Sequence, residues 1–385
     1  MQDSVCQQCG GCVFRTLEEE QYRKNKITDF QKTIALIKNS VPEFDALVFI
    51  KDGLRRRADM AFQYVKKELK LGFNEARSHT LVNITTCPML DSELVNILPR
   101  LRLLLEELCS QPVTVKTKKK KSEAVYIREG SVQLLQADNG MDILLNLPVE
   151  PSLQHRLAVA DFVNAETKVC RLSWKVGGNK PETVAEKMPP ELRIAGFIIE
   201  IPQGVFLQAS KAAETAMIEK VLEYIGNTKG KIADLFCGLG TFTFPLSKLA
   251  DSNIIAADSS ASSLSGLQKA LNRNQIHNVQ VINRNLFKYP FDAADLKGVK
   301  ALVLDPPRAG AHTQCREIAN LIPADKPQKI VFVSCNPKTF VYDAEELINA
   351  GYIFERVTLI DQFVYSRHQE LIALFTYNPK PEKGA

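Results

Sequence analysis

The carboxyl-terminal half of this chain predicts a doubly wound α/β domain, with a β-rich domain ahead of it. Three observations carry that expectation. After Pro190, apolar strand-like runs alternate with helical stretches. The first of those runs closes on Gly238-Leu239-Gly240, a tight turn at the carboxyl end of a strand. A later run, Val331-Phe332-Val333-Ser334, delivers Cys335 and stops at the turn signal Asn336-Pro337.

Taken in order, residues 1–43 form a cysteine-bearing arm, with a charged, helix-like segment from about Leu17 to Lys38 (Tyr22, Ile27, Phe30, Ile34) that ends near Pro42. Residues 44–180 carry short apolar or alternating runs: 47–50, 61–65, 81–84, 113–115, 124–127, 132–135, 142–145 and 162–163. One helical stretch over 93–108 interrupts them. That pattern predicts an antiparallel β-rich domain, closing near Gly177-Gly178-Asn179-Lys180. Residues 181–385 are the α/β domain. Strands are expected over 231–236, 253–257, 279–282, 299–304 and 329–334, and helices over 211–225, 243–249, 260–274, 314–321 and 344–350. The last two strands, 352–360 and 371–377, lack a helix between them and predict an antiparallel hairpin at one sheet edge.

The 385 residues exceed one ordinary core, and the hydrophobic (45%) and charged (24%) content is that of a water-soluble globular protein. No apolar run approaches membrane-spanning length and no export signal opens the chain, so the cytoplasm is the expected compartment and a monomer the expected state. Net charge is only +5, but Arg55-Arg56-Arg57 and Lys116 with Lys118–Lys121 are clustered. Such clusters suit a phosphate backbone and equally suit a solvated turn. Nine cysteines in such a chain bring metal binding or catalysis forward over disulfides.

Three of those cysteines, Cys6, Cys9 and Cys12, are spaced Cys-x-x-Cys-x-x-Cys, and Cys87-Pro88 is the best candidate for a fourth ligand. The spacing resembles a [4Fe–4S] site. Zinc, the rival, usually takes two separate knuckles, and the second is missing.

The α/β half collects polar groups at predicted strand ends. Asp234 precedes the Gly-x-Gly turn and Asp258 ends the next strand, which suits a ribose-bearing ligand, either NAD or S-adenosylmethionine. The absent third glycine favours the latter. Asp305-Pro306-Pro307-Arg308 follows the fourth strand as a stiff loop with a carboxylate and a cation. If the last strand inserts beside the one ending at Cys335, it runs antiparallel and sets His368-Gln369-Glu370 next to the thiol. A thiolate adding to carbon 6 of uracil makes carbon 5 enolate-like, and a base must later remove the carbon-5 proton. Cys335 and Glu370 suit those two roles, with His368 as the runner-up base. Alone, Cys335 reads more readily as buried packing than as a reactive group, and the neighbouring motifs reverse that.

Phe206-Leu207-Gln208, Asp234 to Gly240, Asp305 to Arg308, Ser334-Cys335-Asn336-Pro337 and His368-Gln369-Glu370, in that order, resemble the motifs of the RNA uracil-5 methyltransferase family. The amino-terminal cysteines are similar to those of its 23S ribosomal RNA members. The resemblance implies a Rossmann-like class I methyltransferase domain, S-adenosylmethionine as methyl donor and RNA, foremost 23S rRNA, as substrate. It implies Cys335 as nucleophile and Glu370 as base, and places Gln208, Phe236, Thr241, Asp258, Asn285 and Asp305 where the family contacts donor or target base. It also implies Cys6, Cys9, Cys12 and Cys87 as [4Fe–4S] ligands. Thr241 stands where asparagine is frequent, Asp258 where glutamate is usual, and the gap after Cys6 is shorter than the common one. A methyltransferase of the transfer-RNA T-loop and a catalytically dead RNA-binding iron–sulfur module are the rival readings. With the cysteine motif starting at Cys6, no room is expected before it for a further RNA-binding barrel, so RNA selection is expected from the central domain and the catalytic cleft.

Overall fold

Alternate residues of one strand, Ile330/Phe332 and Val331/Val333, enter two different apolar clusters. A strand buried on both faces in this way belongs to a parallel sheet covered by helices. The computed structural model that shows this describes residues 6, 8–116, 122–249 and 251–378. The chain forms two compact units, one of Met1–Val13, Lys51–Arg193 and Glu200–Lys211, the other of Phe14–Ile50, Ile194–Ile199 and Ala212–Ala385. The expected arm of residues 1–43 is therefore shared between the units, and residues 181–193 and 200–211 belong with the β-rich one.

In the α/β unit the strands are β1 (Gly230–Leu235), β2 (Ser252–Asp258), β3 (Val279–Asn283), β4 (Val299–Leu304), β5 (Lys329–Ser334), β6 (Ile353–Asp361) and β7 (Glu370–Thr376). They lie in the order β6-β7-β5-β4-β1-β2-β3. The first five pair in parallel, whereas β7 is antiparallel to both β5 and β6. The predicted hairpin is present, but it does not end the sheet. Two short strands, Glu43–Phe44 and Val48–Phe49, pair in parallel with β6. The run 47–50 was expected in the β-rich domain. Two residues of strand carry no local sign of which sheet they will join.

Helix α1 (Glu19–Ile34) buries Tyr22, Lys26, Phe30 and Ile34, every fourth residue, which is one face of a helix. Helix α2 (Lys211–Ile225) contributes Met217, Val221, Tyr224 and Ile225 to the cluster on the opposite sheet face from Phe30 and Ile34. Helix α3 (Ala261–Arg273) follows β2 and is capped by the Ser260 side chain. Helix α4 spans Pro337–Asn349, beginning well before the expected 344, because Asn336 caps it and Pro337 occupies its first turn. Asn-Pro is thus a helix start here and not merely a strand stop.

In the β-rich unit a seven-stranded sheet runs in the order Glu182–Glu186, Val169–Val176, Gly140–Leu147, Glu129–Ala137, Arg57–Val65, Glu68–Asn74, Leu81–Asn83. Leu98–Ser110 and Leu153–Ala165 are helices whose Leu101, Leu105, Val159 and Val163 share a cluster with Phe62, Leu134 and Trp174. Residues 162–163, expected as strand, lie in the second helix. That helix connects Gly140–Leu147 to Val169–Val176, which therefore pair in parallel. The unit is not wholly antiparallel, since a helical crossover returns the chain in the same direction.

Candidate active site

β5 is buried along nearly its whole length and brings Cys335, half-buried, to its carboxyl end. Asn336 then accepts the Lys338 N–H at 3.2 Å while its own amide donates to the Arg308 carbonyl at 2.9 Å. The thiol is thus held between a strand end, a helix start and the Asp305–Arg308 loop. β7 pairs with β5 so that Leu371 faces Ser334, which sets Glu370 beside Cys335. The expected juxtaposition of thiol and carboxylate is the one found.

The electrostatics of the pair are specific. Burial first, then the charges of Glu370 and Asp305, push the Cys335 thiol up, and Arg308 opposes them. Burial likewise raises the Glu370 carboxyl from 4.5 to about 7, opposed by the Gln362 hydrogen bond and by Arg308. Gln362 donates its amide to Glu370 Oε2. A carboxyl titrating near neutrality is matched to taking up a proton at that pH. His368 is exposed, with its ring 5.7 Å from that of Phe363 and its Nδ1 3.4 Å from the Arg308 guanidinium.

The Gly-x-Gly turn shows how the backbone makes a cradle. Phe236 (φ 64°), Gly238 (φ 54°) and Gly240 (φ 97°) all adopt left-handed conformations. A Cβ on Gly238 would meet no atom within 4 Å, so it faces open space, whereas one on Gly240 would come within 2.7 Å of Leu267 Cδ1. One glycine leaves room and the other permits close packing against α3. Asp258 accepts the Gly238 N–H at 3.0 Å and the Ser260 N–H at 2.7 Å, which fixes the turn and leaves lone pairs for a ribose. Asp234 is fully buried, accepts the Thr243 hydroxyl on Oδ2 at 2.5 Å, and is raised to about 7 by burial. Its Oδ1 is buried without a hydrogen-bond partner among the described residues. Open room beside Gly238, an unmatched acceptor and a carboxylate at the next strand end fit the polar parts of S-adenosylmethionine. Phe236 packs 5.5 Å from the half-exposed Phe287, and Thr241 is half-buried on the same turn. Burial and the charges of Glu370, Asp234 and Asp258 raise Asp305 well above the carboxylate range.

Two further expected site residues have these surroundings. Asn285 is exposed, and its Oδ1 accepts the N–H groups of Phe287 and Lys288 at 3.1 and 3.2 Å, the pattern of a turn cap. Gln208 is buried in the β-rich unit, where its carbonyl accepts from Arg56 Nε at 3.2 Å. That bond also corrects the reading of the arginine run. Arg56 is 4% exposed, Arg55 donates to the Arg57 carbonyl at 2.9 Å, and Arg57 pairs with Asp59. These guanidiniums serve their own unit, so the run is not an open phosphate patch. Lys118–Lys121 lie outside the described residues. A cavity of about 280 Å³ lines α1, with Tyr22, Lys26 and Asp29 in its wall, apart from the strand-end residues above.

The four thiols Cys6, Cys9, Cys12 and Cys87 all belong to the β-rich unit. Cys9 bridges to Glu75, and the Gly10 N–H donates to the Asn74 carbonyl at 3.1 Å. A Cβ on Gly10 would lie 2.6 Å from the Ala76 nitrogen, so only glycine allows this approach. Burial raises the Cys87 thiol, and Cys6 and Cys9 are near enough to raise it further, while Arg55 feels Cys87 and Cys12. Among the described residues, however, no three His, Cys, Asp or Glu side chains are gathered to hold a metal ion. A single zinc needs sulfurs at about 2.3 Å.

Comparison with known proteins decides the family. Residues 179–377 match the model of the tRNA (uracil-5-)-methyltransferase family. The chain belongs to that family. An RNA methyltransferase of Rhizobium meliloti is 33% identical over 375 residues, covering 96% of this chain and 83% of the relative. The 23S rRNA (uracil(1939)-C(5))-methyltransferase RlmD of Yersinia enterocolitica is 30% identical over 380 residues, covering 96% and 80%. Among solved structures, a Pyrococcus abyssi tRNA (uracil-54, C5)-methyltransferase in complex with S-adenosyl-L-homocysteine superposes with a TM-score of 0.70 at 22% identity, over 96% of this chain and 86% of that one. As a member of this uracil-5 methyltransferase family the chain is an RNA methyltransferase of class I fold. No helix among the described residues is long and apolar enough to cross a membrane.

Sequence reasoning singled out Cys335 and Glu370, which the fold brings together, but passed over Gln362 and Lys26. Lys26 carried a signal, because it lies on the four-residue stripe between Tyr22 and Phe30.

Proposed function

We propose that the protein methylates carbon 5 of a uridine in RNA, foremost 23S rRNA, with Cys335 as nucleophile and Glu370 as base. The observation that carries this is the half-buried thiol at the end of β5 beside a buried carboxyl titrating near 7 at the start of β7. Cys335 loses its proton and its thiolate bonds to carbon 6, leaving carbon 5 enolate-like. The Phe236–Thr241 turn and Asp258 would hold S-adenosylmethionine, whose sulfonium–methyl bond would break as carbon 5 takes the methyl group, with S-adenosylhomocysteine as the leaving group. Glu370 then removes the carbon-5 proton. The electron pair left behind rebuilds the 5,6 double bond, and the carbon–sulfur bond breaks to release Cys335. Arg308 favours the ionised forms of both Cys335 and Glu370. Because stacking hides the face of carbon 6, the base must be flipped or single-stranded.

The Yersinia relative supports 23S rRNA as substrate, and the family description names tRNA. Mapping 5-methyluridine in both RNAs of a deletion strain separates the two. Roles for Gln208, Asn285 and Asp305 in holding donor or base belong to the same proposal, as do Cys6, Cys9, Cys12 and Cys87 as [4Fe–4S] ligands that fasten the arm to the β-rich unit. The chemistry is tested by 5-fluorouracil-substituted RNA, whose carbon 5 carries no proton to remove. A stable covalent complex is expected with S-adenosylmethionine, and none with Cys335→Ala. An equal yield from the variant would reject Cys335 as the nucleophile.

A further inference from the structure

Lys26 is 5% exposed, and a lysine is almost never so buried unless it is paired. Its ammonium lies 3.1 Å from Asp361 Oδ1 and donates to the carbonyls of Ser366, at 2.9 Å, and of His368. These three acceptors all belong to one segment, the connection from β6 to β7. Asp361 ends β6, Ser366 is in the middle of the loop, and His368 lies two residues before Glu370. Helix α1 adds two more holds on that segment. The Tyr22 hydroxyl donates to Asp361 Oδ2 at 2.6 Å, and the Tyr22 ring packs 4.8 Å from that of Tyr365. The loop is also tied within itself. The His368 N–H donates to Ser366 Oγ at 3.1 Å, and Ser366 Oγ donates to the Phe363 carbonyl at 2.6 Å. Gln362, which follows Asp361 directly, donates to Glu370 Oε2.

A buried ion pair is poor support for stability, since apolar residues of similar size often serve as well or better. What an ammonium can do and an apolar side chain cannot is fix two backbone carbonyls and a carboxylate in one arrangement. Strand connections ordinarily come from the low-stability end of a structure, yet a general base must sit within hydrogen-bond reach of its proton. We propose that Lys26 is a positioning residue for the proton-abstraction step: from α1 it locks the 362–369 loop, and with it Gln362 and Glu370, in the geometry that reaches carbon 5. The proposal rests on Glu370 being the base.

The test separates addition from release. Carbon 5 of 5-fluorouracil needs no base, so adduct formation there reads Cys335 attack and methyl transfer alone. On ordinary RNA, a misplaced base slows release, and the covalent complex builds up. Lys26→Met is expected to lower turnover about tenfold or more. It should accumulate adduct on ordinary uracil RNA and trap 5-fluorouracil RNA within about twofold of the unaltered protein. Because the single variant strands Asp361 without its cation, Lys26→Met/Asp361→Leu is run beside it and must show the same split. Turnover like that of the unaltered protein in the double variant, or an equal fall of turnover and trapping in it, overturns the proposal. Glu370→Gln serves as the reference. If that variant builds up no adduct on ordinary RNA, the reading of Glu370 fails, whatever the lysine variants do.

Discussion

Replacing Glu370 by glutamine should move stability and activity in opposite directions. The change keeps shape and hydrogen bonding, because a glutamine carbonyl can still accept from Gln362, but it removes a charge buried at 5% exposure. Burial raises the carboxyl from 4.5 to about 7. Between those values the folded protein holds a proton that the unfolded chain has released. The group therefore costs nothing below about pH 4.5, its cost grows as pH rises, and it is complete above about pH 7, at roughly 3 kcal/mol. Chemical denaturation at pH 5 and pH 8.5 measures it. We expect a gain of about 1–3 kcal/mol for Glu370→Gln at the higher pH and about a quarter of that at the lower. Turnover should fall about 10²- to 10⁴-fold, the usual worth of a general base, with covalent RNA complex accumulating. A variant that is less stable at pH 8.5 and still turns over RNA would refute both the burial argument and the assignment of the base.

Three further outcomes follow from the same geometry. Arg308 lowers both Cys335 and Glu370, so Arg308→Met should shift the rise of kcat/KM with pH to higher pH; an unmoved profile would show that its charge does not reach them. Gly240→Ala strains a φ of 97° and drives a methyl against Leu267, so isothermal titration should show S-adenosylmethionine binding weakened about tenfold or more, and unchanged affinity would remove the turn from the donor site. Cys9→Ser should lose any iron and weaken folding or RNA binding, measured by metal analysis, denaturation and filter binding. Loss of iron with stability and affinity intact would end the idea that the cluster fastens the arm.

The sequence by itself determined what is local or chemical. Each parallel strand after Pro190 is a short apolar run bounded by turns, so β1 to β5 were legible almost to the residue. The order of several motifs, with the family resemblance they carry, was enough to single out Cys335, the Asp305–Arg308 loop and Glu370 as candidates, whereas the strand-end cysteine alone reads as packing. The tertiary structure decided what depends on pairing across distance. Two-residue strands such as Glu43–Phe44 have no periodicity of their own and exist only because β6 offers an open edge. Arg56 stood in a basic run that suited a phosphate backbone or a solvated turn, and Lys26 in a charged helical segment, yet both are buried. Charge clustering along the chain says nothing about whether a carbonyl or carboxylate waits on another element. For Lys26 the acceptors come from Asp361, Ser366 and His368, at the other end of the chain, and only the folded sheet brings them to α1.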